Sequence, residues 1–110
     1  MIRGIGTDIE NVARFRDPVP GLLDRILSPE DKDYIGNFSD PAPRIAGIWA
    51  AKEALVKALG RADAVVFNRV SVLHGAEGRP YFSYRPDEGT LHLSVAHSDD
   101  QAVAVVVWEA

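Results

Sequence analysis

The longest regular pattern in the sequence, IAGIWAAKEALVKALG at residues 45–60, is typical of an α-helix. Alanine and leucine have high helix propensities, and a glycine such as Gly60 often ends a helix. We therefore predict a helix over residues 43–59. Its apolar stripe comprises Ile48, Ala51, Leu55 and Leu59. A second line at i, i+4 and i+8 comprises Trp49, Glu53 and Lys57, which places Glu53 close to apolar cover.

Shorter segments flank this helix on both sides. Before it, the patterns predict a strand over residues 1–8, helices over 9–15 and 22–27, a helix start at Ser28-Pro29, and a loop over 36–43. After it, they predict strands over 65–73, 81–84, 91–97 and 102–108, with turns at 75–80, 86–90 and 98–101. The predicted fold class is α+β, a small domain with a largely antiparallel sheet packed on one long helix.

The composition is that of one globular domain spanning residues 1–110. The chain is 46% hydrophobic and has no cysteine, which excludes disulfides, thiolate metal sites and a thiol nucleophile. A net charge of -4 argues against bulk attraction to nucleic acid or to anionic membranes. No apolar run approaches the roughly 18 residues that span a bilayer, and the opening residues lack a signal-peptide pattern. We expect a cytoplasmic location, with neither a nucleic acid nor a membrane as partner.

Two acidic residues are candidate functional groups. Asp8 lies at the end of the first predicted strand, and Glu53 lies in the long predicted helix. Two carboxylates from separate elements can hold Mg²⁺, which keeps some waters and completes its shell with substrate phosphate oxygens. Lys57, one turn after Glu53, would bind the same phosphates. The alternatives are structural: Asp8 as a helix cap, Glu53 and Lys57 as a surface ion pair, and Lys52 as a solvated neighbour.

Other polar residues are less specific. Gly4-Ile5-Gly6 lacks the third glycine of a dinucleotide fingerprint, so close backbone packing explains it better. His97 is the best acid, base or phosphate contact by residue type, although a local turn histidine is the simpler interpretation. No histidine pair has zinc-ligand spacing, and no serine lies in a Gly-x-Ser-x-Gly elbow.

Three ordered blocks of this sequence resemble holo-acyl-carrier-protein synthases, the small 4′-phosphopantetheinyl transferases. The first block is Gly4-Ile5-Gly6-Thr7-Asp8 with Arg14, and the second runs from Trp49 to Gly60. The third is Leu93-Ser94-Val95-Ala96-His97-Ser98, and Gly78-Arg79-Pro80-Tyr81 matches a lesser turn motif. The resemblance spans essentially the whole chain.

The resemblance implies the 4′-phosphopantetheinyl transferase fold and a specific reaction. Such an enzyme moves 4′-phosphopantetheine from coenzyme A to a serine of an acyl carrier protein or carrier domain, in fatty acid biosynthesis, and releases adenosine 3′,5′-bisphosphate. It also implies a homotrimer with sites between subunits. The implied Mg²⁺ ligands are Asp8 and Glu53, and both count as catalytic together with Lys57. The expected coenzyme A contacts are Lys57, His97, Ser98 and Arg44, and the expected carrier contacts are Arg14, Arg16 and Arg25.

The sequence departs from the family pattern at three places. Ile48 stands where the family usually has arginine, Arg61-Ala62 follows Gly60 where a Thr-Gly pair is common, and residues 17–24 contain no basic residue. The first departure motivates an alternative function, a non-catalytic module that binds coenzyme A or a carrier protein. A third interpretation is a Mg²⁺-dependent phosphohydrolase that uses the same carboxylates.

Overall fold

The centre of the computed structural model, which describes all residues 1–110, is one long helix packed on a three-stranded antiparallel sheet. The strands are β1 (Ile2–Asn11), β2 (Val72–His74), β3 (Pro80–Phe82), β4 (Thr90–His97) and β5 (Gln101–Glu109). The α-helices are α1 (Leu22–Ile26), α2 (Pro29–Ile35) and α3 (Ala42–Leu59). Short 3₁₀ helices cover Val12–Phe15, Ala62–Ala64, Phe67–Arg69 and Ala76–Gly78. None of the helices has both the length and the apolar content to cross a membrane.

The sheet has the order β1-β5-β4, and β2 pairs with β3 in a separate two-stranded sheet. In the main sheet, Ala102 of β5 lies opposite Glu10 of β1 on one side and opposite His97 of β4 on the other. Because side chains alternate along a strand, Glu10 and His97 point to the face that α3 covers, at opposite edges of the sheet.

Two glycines allow α3 to lie directly on β1. A Cβ atom added to Gly6 would lie 1.9 Å from the carbonyl oxygen of Ala54, and one added to Gly4 would lie 1.8 Å from that of Ala58. Any side chain at either position would therefore push the helix away from the strand. The prediction that these glycines serve close backbone packing is confirmed.

A fully buried ion pair joins α3 to the smaller elements. Lys52 Nζ donates to Asp31 Oδ2 at 2.6 Å and to the carbonyl oxygens of Ile26 and Phe67 at 2.7 Å each. Asp31 also accepts hydrogen bonds from the backbone N–H groups of Ser28 and Val72. The interpretation of Lys52 as a solvated neighbour is wrong, because its ammonium group is completely enclosed by acceptors.

Most predicted elements are present, with α3 running from Ala42 to Leu59 and ending at Gly60, whose φ is +72°. The predicted start of α2 is confirmed: Ser28 caps it, and Ser28 and Asp31 form a capping box. Ile48, Ala51 and Leu55 of the predicted stripe are buried, and Leu59 packs at its margin.

Two element predictions are wrong. The first strand does not end at Asp8 and no helix begins at Ile9, because β1 continues in register with β5 to Asn11. Asp8 is therefore not a helix cap. The strand predicted over 65–73 is reduced to β2, since Val65 and Val70 insert separately into the core around a 3₁₀ helix instead of pairing with a neighbouring strand.

Candidate active site

An acid cluster, which we define as Asp8, Glu10 and Glu53, lies where β1 meets α3. Asp8 and Glu10 share the helix-facing side of β1, and Glu53 approaches from α3. Lys57 Nζ donates to the carbonyl oxygen of Thr7 at 2.9 Å and lies 3.4 Å from Asp8 Oδ1. The alternative interpretation of Glu53 and Lys57 as a surface ion pair is therefore wrong, because Lys57 pairs with Asp8 on another element.

The negative charge of the acid cluster exceeds the positive charge of the basic groups beside it, Lys57 and Arg14. Burial raises the pKa of Glu10 to about 7, and the negative charge of Asp8 adds to this rise. Burial and the charge of Asp8 also raise the pKa of Glu53. Asp8 Oδ2 is buried and has no hydrogen-bond donor. Because neighbouring carboxylates disfavour each other's ionised form, a proton or a cation would stabilise the cluster.

The residues present fit a magnesium ion. The orphaned Asp8 oxygen is a ready ligand atom, and oxygen ligands are those that Mg²⁺ prefers. No three histidine, aspartate or glutamate side chains converge closely enough to form a protein-only metal cage. Mg²⁺ typically takes one or two protein carboxylates and leaves other positions to water and phosphate.

A separate cleft of about 190 Å³ lies on the other side of α3, between that helix, α2, β2 and the end of β4. Its basic side chains are Arg44, His74 and His97, and its apolar lining includes Ile48 and Val95. The ring of His74 stacks on Tyr34 with 4.0 Å between ring centroids. The cleft therefore combines the positive charge of Arg44 with flat and apolar walls, which suits a phosphorylated heterocycle.

The structure divides the predicted site residues between these two places. Glu53 follows Arg44 by nine residues, which is about 2.5 helical turns, so the two side chains leave α3 on opposite sides. Asp8 and His97 likewise lie on opposite edges of the main sheet. Within one chain, Asp8, Glu53 and Lys57 are brought together, whereas His97 and Arg44 belong to the cleft.

Other predicted contacts lie outside both places. Ser98 Oγ accepts hydrogen bonds from the backbone N–H groups of Asp100 and Gln101 and so shapes the turn after β4. Arg16 pairs with Asp40 at 2.9 Å, whereas Arg25 is exposed and forms no ion pair. A larger cavity of about 350 Å³ near β3 and β4 contains none of the predicted residues.

Sequence reasoning missed Glu10, Tyr34 and His74. The signal for Glu10 was present, since it lies two residues after Asp8 and a strand places such residues on one face. The error was to end the strand at Asp8, which assigned Glu10 to a helix. Nothing in the local pattern indicated that Tyr34 and His74, far apart in sequence, would stack.

Residues 4–106 match the sequence model of the 4′-phosphopantetheinyl transferase superfamily. The chain belongs to this superfamily. The predicted family is therefore confirmed, together with the enzyme class that it implies.

Individual relatives agree with this assignment. A holo-acyl-carrier-protein synthase of Exiguobacterium sibiricum is 40% identical over 99% of this chain and 90% of its own. The crystal structure of a holo-acyl-carrier-protein synthase from Bacillus anthracis, in complex with CoA (3′,5′-ADP), superposes with a TM-score of 0.90 at 34% identity and covers 100% of this chain and 98% of its own. The enzyme of Neisseria meningitidis gives a TM-score of 0.88 at 33% identity, with full coverage of both chains. The predicted fold is confirmed.

Proposed function

We propose that this transferase moves 4′-phosphopantetheine from coenzyme A to a serine of an apo acyl carrier protein, in fatty acid biosynthesis. The observation that carries the proposal is the acid cluster, in which Asp8 and Glu53 come together beside Lys57 from the first strand and the long helix. The relatives described above are named for this activity, and this chain matches nearly their whole length. A cytoplasmic location stays a prediction, and the cysteine-free sequence fits a reducing compartment.

Asp8 and Glu53 are the proposed magnesium ligands. When bound there, Mg²⁺ would offset the negative charge of the coenzyme A diphosphate and orient it. The support is the orphaned Asp8 oxygen and the excess of carboxylates over cationic groups in the cluster.

The reaction is a displacement at phosphorus. The serine oxygen of the carrier forms a bond to the β-phosphorus of coenzyme A, and the bond from that phosphorus to the bridging oxygen breaks. Adenosine 3′,5′-bisphosphate leaves with the electron pair, while the serine proton passes to Glu53, to another carboxylate or to water. Lys57 stabilises the charge that grows on the leaving phosphate, since phosphoryl transfer is catalysed mainly by positioning and by electrostatic stabilisation.

The cleft beside α3 is the proposed site for the phosphoadenosine part of coenzyme A. Arg44 and His97 would contact its phosphates, and the aromatic and apolar walls would take the base. Arg44 lies one helical turn before Ile48, so its guanidinium lines the same cleft to which an arginine at position 48 would point. In this proposal, Arg44 supplies the charge that Ile48 lacks, and Ser98 contributes by fixing the turn that follows His97.

A complete site would need two copies of the chain, because one chain holds its acid cluster and its cleft on opposite sides of α3. The outer face of the main sheet offers a surface for such an assembly. Its exposed apolar side chains are Ile5, Ile9, Val103 and Val105. These observations support an assembly in which the acid cluster of one subunit faces the cleft of the next, and the homotrimer implied by the family resemblance is the assembly that we propose.

Arg14 and Arg25 are the proposed docking residues for an acidic carrier protein. Arg14 lies in the 3₁₀ helix after β1, about half exposed and next to the acid cluster. Arg25 is exposed on α1 and has no acidic partner, so it is free for another protein. Arg16 is held by Asp40 and must exchange that partner before it can contribute.

Mass spectrometry of a carrier protein tests the proposal directly. The chain is incubated with apo carrier, coenzyme A and Mg²⁺, and we expect the carrier to gain the mass of the phosphopantetheine arm. Coenzyme A binding without any mass gain, beside an active family enzyme, would favour the non-catalytic binding module. Release of pantetheine phosphate in the absence of carrier would favour a phosphohydrolase.

A further inference from the structure

Arg44 is the one permanently charged side chain that lines the cleft beside α3. Its guanidinium forms no ion pair, because the acid nearest to it in sequence, Asp40, pairs with Arg16 at 2.9 Å. The N–H donors of Arg44 are therefore available to a ligand. A guanidinium binds phosphate oxygens through two parallel N–H donors, and this requires a defined orientation of its plane.

The ring of Phe38 supports Arg44 from behind. The guanidinium carbon of Arg44 lies 4.2 Å from the centroid of this ring, well within the distance of about 6 Å at which an aromatic face attracts a cation. Phe38 itself does not line the cleft. It can therefore act on a ligand in the cleft only through Arg44.

An aromatic row, which we define as Phe38, Tyr34 and His74, holds this support in place. Phe38 meets the ring of Tyr34 edge-on, with 5.3 Å between the centroids and 64° between the ring planes. Tyr34 stacks on His74 of β2 through its other contact. The row thus fixes the segment after α2, which carries Phe38, against the small sheet. Because a free arginine side chain loses much conformational freedom when it binds a ligand, orienting it beforehand favours binding.

We propose that Phe38 is a positioning residue that orients Arg44 towards the 3′-phosphate of coenzyme A. The inference rests on the proposed function, in which the diphosphate of coenzyme A lies at the acid cluster beside Lys57. The phosphate that remains for Arg44 is the 3′-phosphate of the adenosine part. Phe38 therefore contributes to the selection of coenzyme A over dephospho-coenzyme A, which lacks only this phosphate.

Calorimetric titration of the full chain with coenzyme A and with dephospho-coenzyme A tests this role. We expect Phe38→Leu to weaken coenzyme A binding about fivefold, the scale of one cation–π contact, and to change dephospho-coenzyme A binding less than twofold. Phe38→Tyr is the matched control, because it keeps the ring face, and it should bind both ligands as the unaltered protein does. A purely structural role of Phe38 would weaken the binding of both ligands equally.

A double-mutant cycle shows whether Phe38 acts through Arg44. In an Arg44→Gln background, Phe38→Leu should change coenzyme A affinity less than twofold, because the partner of the ring is already absent. If Phe38→Leu does not fold, Phe38→Met replaces it, since a flexible thioether fills the same space without an aromatic face.

Three results would overturn this inference while the proposed function stands. They are unchanged coenzyme A affinity in Phe38→Leu, equal losses for the two ligands, and a fivefold loss that persists in the Arg44→Gln background. If the unaltered protein binds no coenzyme A at all, the proposed function and this inference fail together.

Discussion

Lys52 and Glu53 are consecutive in α3, but their charged groups have opposite environments. Lys52 is fully buried, and its three hydrogen bonds of 2.6–2.7 Å satisfy the ammonium group completely. Glu53 lies beside another acid, Asp8, whose buried Oδ2 has no donor. Lys52 points to the small elements on one side of the helix, and Glu53 points to β1 on another.

The difference shows which charges build the fold and which prepare a ligand site. A buried charge with all its partners present in the chain needs nothing further, and its removal leaves those partners unpaired. A cluster of carboxylates with raised pKa values is unfavourable by itself, and it becomes favourable when a cation arrives. One motif of the sequence therefore contains a residue that the fold requires, Lys52, and a residue to which the proposed function gives a role in the reaction, Glu53.

The largest effect is expected from Lys52→Met. This variant leaves Asp31 and two carbonyl oxygens without a donor, so we expect the free energy of unfolding to fall by about 3–5 kcal/mol, as measured by urea denaturation. Lys32→Met is the matched control, because Lys32 forms an exposed ion pair with Asp24, and it should change stability by about 0.5 kcal/mol or less. Equal stability of Lys52→Met and Lys32→Met would show that the fold does not require the buried charge of Lys52, and the contrast with Glu53 would then fail.

Glu53→Gln should affect the reaction and leave the fold intact. We expect the transfer rate to fall about 100-fold or more, the scale of losing one electrostatic contact in a transition state. The melting temperature should not fall, because the substitution removes a negative charge that is repelled by the negative charge of Asp8. An unchanged rate of arm transfer to the carrier would show that Glu53 is not a cation ligand.

How far the sequence predicted these features depends on whether the cause was local. Helix α3, the cap at Ser28 and the turn residue Gly60 follow from propensities and short patterns, and all are present. The environment of Lys52 was not predictable, since its acceptors come from residues 26, 31 and 67, which only the fold brings together. Likewise, the extension of β1 to Asn11 depends on its pairing with β5.

Arg14→Glu probes the edge of the acid cluster. We expect it to weaken carrier binding about tenfold, because a docking arginine contributes mainly through its charge. Coenzyme A binding should change less than carrier binding, since Arg14 does not line the cleft that contains Arg44 and His97. Calorimetric titration with each ligand compares the two, and equal losses would contradict the docking role.

A smaller effect is expected from pH in the absence of divalent cations. The pKa of Glu10 is raised to about 7 in the folded protein, so the folded state binds more protons than the unfolded state between about pH 4.5 and pH 7. Stability from this group therefore falls as pH rises through that range. Glu10→Gln removes the effect, so its melting temperature should exceed that of the unaltered protein by a few degrees more at pH 7.5 than at pH 5. A constant difference across this range would show that Glu10 has an ordinary pKa.

The central claim is that Asp8 and Glu53 share one divalent cation. Mn²⁺ binding by the unaltered chain, Asp8→Asn, Glu53→Gln and the control Glu88→Gln tests it most directly. The account predicts that Asp8→Asn and Glu53→Gln each bind Mn²⁺ at least about tenfold more weakly, a loss of about 1.4 kcal/mol, while Glu88→Gln binds it as the unaltered chain does. Unchanged Mn²⁺ affinity in both Asp8→Asn and Glu53→Gln would contradict it.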